Sequence, residues 1–147
     1  MPDVIPTLVR SDRSLLVLSL AVFAAAGVAN TAIGTARGAF AAALAIVGVY
    51  VLAVYARRVD RRTLALVSVF LWICFLATTG VHVVGPETVA GVVPVYTEAV
   101  VILVTALTWA TLLGAGSSTA FLGFREYGAG TRTATSEESV IEQEYEY

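Results

Sequence analysis

Asn30, Arg37, His82 and Glu98 are the residues whose chemistry stands out in an otherwise strongly apolar chain. Glu98 is the most informative of them. A carboxylate in an apolar stretch is costly unless it meets a partner or a cavity, so such residues mark proton and cation paths in membrane proteins. His82 is the only histidine, and imidazole is the side chain that titrates near neutral pH. Arg37 offers a guanidinium to pair with Glu98, and Asn30 adds an amide. The chemistry open to this set is proton or cation binding at Glu98, with His82 or Arg37 alongside. Thr31, Glu87 and Tyr96 belong to the same loose group. The plainer alternative is that these are interfacial side chains of the kind found at the ends of membrane helices.

Other chemistries are excluded by counting. The single histidine and the single methionine, Met1, cannot give one chain two axial haem ligands. Cys74 is the only cysteine, so neither an intrachain disulfide nor a cysteine-based zinc site can form. The chain has no His-Glu-x-x-His, no Gly-x-Ser-x-Gly and no phosphate-binding glycine loop. No cofactor and no catalytic constellation is expected, and nothing points to nucleic acid.

Four long apolar stretches must position these residues. They run about 15–34, 38–56, 63–84 and 95–115, and none contains Lys, Arg or Asp. Each is about 20 residues, which at about 1.5 Å per residue matches the hydrocarbon core of roughly 30 Å. The chain is 58% hydrophobic and 14% charged, against about 25% charged in soluble domains. Its mean hydropathy is +0.83. The sequence therefore predicts an all-α, up-down-up-down four-helix integral membrane bundle over residues 15–116. A flank of residues 1–14 precedes it, and a juxtamembrane segment with a disordered acidic tail, 117–147, follows.

All nine basic residues are arginines. Arg10 and Arg13 precede the first span, Arg57, Arg58, Arg61 and Arg62 fill the second connection, and Arg125 and Arg132 lie in the tail. Only Arg37 falls on the other side. Positive-inside bias then predicts that both termini are cytoplasmic in the cell membrane. A competing reading treats residues 1–29 as a cleaved signal peptide. The apolar run continues past Ala29 at spanning length, whereas a signal core is typically about 7–15 residues. Residues 125–147 carry two Arg and six Glu. An acidic end on a lysine-free, alanine- and valine-rich chain is similar in composition to proteins of salt-loving archaea.

Gly34–Gly38 predicts a tight turn between the first two spans, and the short arginine loop predicts that spans two and three are neighbours. Residues 86–94 lie between Pro86 and Pro94 and are expected to be an outer loop or a shallow interfacial dip, with Pro94 in the first turn of span four. Small residues recur at Ala25/Ala29, Gly38/Ala42 and Ala106/Ala110/Gly114, a spacing that lets helix backbones approach. Trp109 and Tyr55 are expected at cytoplasmic ends as belt aromatics, and Tyr96 at the outer end. Residues 128–136 are expected to be irregular, with a turn or two of helix from Ser139 in a capping-box pattern with Glu142.

These readings lead to a small multi-pass membrane protein that acts as a non-catalytic accessory or scaffold. Its partners would be the lipid bilayer and a second copy or another protein, met through the small-residue faces or the acidic tail. The alternative is a small transporter or channel using Glu98.

Overall fold

The computed structural model describes residues 11–30, 35–92 and 96–145. Among these the structure is helical throughout, and four of its five helices are long and apolar enough to cross a membrane. The helices are α1 (Asp12–Asn30), α2 (Thr35–Arg58), α3 (Arg61–Val84), α4 (Pro86–Ala90) and α5 (Thr97–Tyr145). The expectations for residues 1–10, Thr31, Gly34, Pro94 and Tyr147 lie outside the described residues.

Capping chemistry sets the breaks. Asp60 has extended backbone, φ −69 and ψ 159, and its carboxylate accepts from the Thr63 amide at 3.3 Å and from the Thr63 hydroxyl. It fills the N-cap of α3, where aspartate satisfies otherwise orphaned N–H groups. Gly85 ends α3 with φ of +95, a conformation that glycine adopts without a Cβ clash. Pro86 then opens α4 at the first helical position, where a missing N–H costs little. Residues 86–90 are thus a short helix, followed by a turn at Gly91 and Val92.

α5 packs against each of the other four helices. α1 lies along α2 and α5, and α3 lies along α5. The expectation that spans two and three are neighbours is overturned: α2 and α3 share no extended contact despite a two-residue connection. A short link holds two helix ends together but does not align their axes. The extended backbone at Asp60 redirects the chain, and α5 fills the space between. Arg61 meets Glu126 near one end of α3, and His82 meets Thr108 near the other, so α3 and α5 run antiparallel.

Phe23, Leu52 and Leu64 are fully buried at the centre, joined by Leu15, Tyr55 and Ala110. Close approach depends on glycines, two of them outside the small-residue rows expected from sequence. A Cβ at Gly48 would sit 2.5 Å from Phe23 Cε1, and one at Gly27 would overlap the Trp109 side chain. A Cβ at Gly114 would lie 2.8 Å from Leu20 and 3.2 Å from Leu71. Of the expected rows, Ala110 and Gly114 are buried in the α1–α3–α5 contact, whereas Ala25 and Ala42 are exposed and Gly38 has open space around it. Trp109 is not at the arginine-rich end. It covers Gly27, one turn from the far end of α1.

α5 also departs from the expected tail. It continues past Ala115 through residues 128–136 to Tyr145 as one helix of 49 residues. Thr131, Thr133 and Thr135 donate their hydroxyls to the carbonyls four residues earlier, so the threonines that suggested irregular backbone are accommodated by the helix. Val140 and Ile141 are exposed.

Gly48→Ala or Gly27→Ala should lower stability by about 1–3 kcal/mol through overpacking, whereas Gly38→Ala should be neutral or stabilising by up to about 1 kcal/mol. Thermal unfolding of the purified protein in detergent distinguishes the two classes. Equal effects at all three positions would refute this packing.

Candidate functional site

The four sequence candidates occupy helix ends. Asn30 is the last residue of α1, Arg37 lies in the first turn of α2, His82 in the last turn of α3 and Glu98 in the first turn of α5. All four are exposed. Glu98 sits where the helix N-terminal dipole favours a negative charge, which accounts for a carboxylate there without a ligand. Among the described residues no hydrogen bond or ion pair joins Glu98 to His82 or Arg37. His82 Nε2 instead lies 3.1 Å from the Thr108 hydroxyl. Ten residues separate Glu98 from Thr108, about 15 Å along the helix. Among the described residues the set is thus joined by no hydrogen bond or ion pair, and His82 is held at Thr108 instead.

Away from the arginine-rich end, the polar contacts between helices among the described residues are made by hydroxyls. Ser68 Oγ lies 2.8 Å from Thr119 Oγ1, and the Trp72 indole N–H donates to the same oxygen at 3.1 Å. Thr119 donates its own proton to the Ala115 carbonyl at 2.8 Å. Thr119 is thereby the acceptor for both α3 donors. Between α1 and α2, Ser19 donates to the Gly48 carbonyl at 3.0 Å. The buried polar side chains are Ser19, Ser68, Thr111 and Ser118, and among the described residues no buried side-chain nitrogen or oxygen lacks a partner. Such bonds hold helices together; none of these groups titrates near neutral pH.

The ionisable groups that do converge lie at the arginine-rich end. Arg125 of α5 donates from Nη1 to the carbonyls of Ala56 and Val59, at 3.2 and 3.1 Å. It caps the C-terminus of α2, where orphaned carbonyls favour a cation. The neighbouring Glu126 pairs with Arg61 at the start of α3. A crevice of about 1010 Å³ opens between the beginnings of α1 and α3. Asp12, Arg13, Arg58 and Asp60 line its mouth, and Leu16 and Val67 its apolar wall. Two carboxylates and two guanidiniums balance its charge. The Thr63 hydroxyl and amide hold the Asp60 carboxyl below its ordinary value. Among the described residues no three His, Cys, Asp or Glu side chains gather where they could hold a metal. The arrangement can bind and brace.

Sequence reasoning missed Ser19, Ser68, Thr119, Gly27, Gly48 and Arg125. A lone serine in the middle of an apolar span was the available signal for Ser19 and Ser68. Thr119 was missed because Gly116-Ser117-Ser118-Thr119 reads as the end of a span. In the structure Ser118 and Thr119 return their protons to the Ala115 carbonyl, which keeps a polar sequence helical. No protein-family model, curated protein or solved structure matches the chain.

Because the folded Asp60 carboxyl is depressed, its contribution to stability is complete above the ordinary carboxylate value of 3.8 and is lost as pH falls through the lower folded value. Asp60→Ala should therefore lower the melting temperature at pH 6, and the gap to the wild type should close below about pH 4. A gap that stays constant down to pH 2 would show that the cap is not acting through the carboxylate.

Proposed function

We propose that this chain is a four-span membrane protein with an accessory or scaffolding role, both termini in the cytoplasm, and no catalytic activity of its own. The observation that carries the reading is the apolar exterior. Ile46, Leu66, Phe70 and Leu76 are between 64% and 70% exposed and stand on three different faces of α2 and α3. An exterior of this kind, spread well beyond a few hundred Å², needs lipid or protein around it. Most of the arginines lie at one end, with Arg13, Arg57, Arg58, Arg61, Arg62 and Arg125 at the α2–α3 elbow and only Arg37 at the other. Positive-inside bias places that elbow in the cytoplasm. The connections alternate, so an up-down-up-down course follows, and the acidic end of α5 projects on the cytoplasmic side.

Among the described residues no Asp, Glu, His or Arg side chain is buried, which favours scaffolding over transport. The interior polar contacts of the described residues are hydroxyl, indole and carbonyl contacts. A transporter using Glu98 would need that carboxylate to meet a path through the bundle, and it stands exposed in the first turn of α5. The acidic arm beyond Glu126, where Glu138, Val140, Ile141 and Glu142 are exposed, suits a role in presenting a surface to a partner.

Two measurements test this reading. Tags on Met1 and Tyr147 should be protected from protease in intact cells, and a tag inserted after Glu87 should be cut. In proteoliposomes the purified protein should conduct neither protons nor alkali cations above the protein-free background. External cleavage of the Tyr147 tag would overturn the topology. A proton or cation flux that is lost in Glu98→Gln would overturn the scaffold reading in favour of transport.

A further inference from the structure

A slot of about 380 Å³ lies between the C-terminal end of α2 and α5, walled by Ala53, Ala56, Phe121 and Phe124 and flanked by Arg57 and Arg125. We propose that this slot is a binding site for an anionic phospholipid of the leaflet that faces the arginine-rich elbow; the proposal rests on the membrane reading above. Three features of the slot carry it.

The first is charge. Among the described residues two guanidiniums line the slot and no carboxylate does. The nearest acid along α5, Glu126, is engaged by Arg61 on another helix. The larger crevice between α1 and α3 has two acids beside its two arginines and lacks this bias. Arginine's planar fork suits a phosphodiester, which accepts parallel N–H bonds.

The second is the order of the walls. Ala53 and Phe121 each lie four residues from an arginine, one helical turn further from the elbow, so the slot becomes apolar toward the middle of the bundle. Phosphate at the mouth and acyl chain along Ala53, Ala56 and Phe121 is the arrangement that this order fits. The volume takes a headgroup phosphate and the upper part of a chain, leaving the rest in the surrounding bilayer.

The third is the state of the donors. Arg125 spends Nη1 on the Ala56 and Val59 carbonyls. That fixes the plane of its guanidinium and leaves its other nitrogens for a phosphate. Arg125 is therefore already positioned, while Arg57, in the last turn of α2, supplies the second cation.

The test uses the full chain purified in neutral detergent, with phosphatidylglycerol or phosphatidylcholine added, read by thermal shift and by lipid retention in native mass spectrometry. Phosphatidylglycerol should bind and raise the melting temperature more than phosphatidylcholine. Arg57→Gln should weaken it roughly fivefold, the equivalent of about 1 kcal/mol for one arginine near a charged lipid surface. Arg62→Gln, on the same elbow but outside the slot, should leave binding unchanged. Ala53→Leu, which keeps both guanidiniums and narrows the slot, should also weaken binding. Equal loss in Arg57→Gln and Arg62→Gln would overturn the proposal in favour of diffuse attraction to the elbow. Equal binding of the two lipids would overturn it as well. So would glycerol 3-phosphate competing as well as the lipid, since that would mean a free phosphate site. Release of the chain from membranes by alkaline carbonate would instead refute the membrane reading. A chain that resists carbonate yet ignores headgroup charge refutes this proposal alone.

Discussion

Helices long and apolar enough to cross a membrane would, once in lipid, gain nothing from hiding apolar surface against one another, because that solvent is as apolar as they are. What remains to hold them is shape, and here shape means large side chains laid against absent ones. Phe23 covers Gly48, Trp109 covers Gly27, and Leu20 and Leu71 converge on Gly114. Each contact draws two backbones close enough for dispersion to act over many atoms. Close approach then brings the serine and threonine hydroxyls within reach of the neighbouring helix, as at Ser19 and Ser68. The hydrogen bonds depend on the fit, and the elbow contacts of Arg125 and Glu126 follow from the register that the fit sets.

α5 is the element on which this arrangement converges. It is the partner common to the other helices, and its two faces do different work. Trp109 meets α1, Thr108, Thr119 and Glu126 meet α3, and Gly114 lies between Leu20 of α1 and Leu71 of α3. The side toward α2 is sparser, closing at Arg125 and leaving the slot beside Phe121 and Phe124. The absence of extended contact between α2 and α3 is the counterpart of that central position.

The four long helices were legible in the sequence because lengths near 20 apolar residues admit few other readings. The register was not. Hydropathy cannot distinguish a small residue that faces a neighbour from one that faces lipid, so Ala25 and Ala42 looked equivalent to Gly27 and Gly48. It also cannot tell a hydroxyl that ends a helix from one that returns its proton to the preceding turn, which hid Thr119 and the continuation of α5. The candidate site was read from polarity alone. Polarity located Glu98, His82, Arg37 and Asn30 at helix ends, but their separation depends on how far α5 extends beyond α3, a quantity that no local pattern contains. Arg125 was counted as a topology signal; its capping of α2 depends on a contact between residues far apart in the chain.

The length of α5 has a mechanical consequence. From Glu126, which pairs with Arg61 of α3, nineteen further residues reach Tyr145, a span of about 28 Å of helix. An overhanging rod magnifies rotation: a tilt of roughly 10° at Glu126 would sweep the tip through about 5 Å at that rise per residue. The rod is not uniformly stiff. Gly128 and Gly130 fall just beyond Glu126, and glycine is the residue that least resists bending in a helix. A rearrangement around Trp109 or Thr119 would thus be carried along α5 toward Tyr127, and the two glycines beyond it are where the helix would bend most readily.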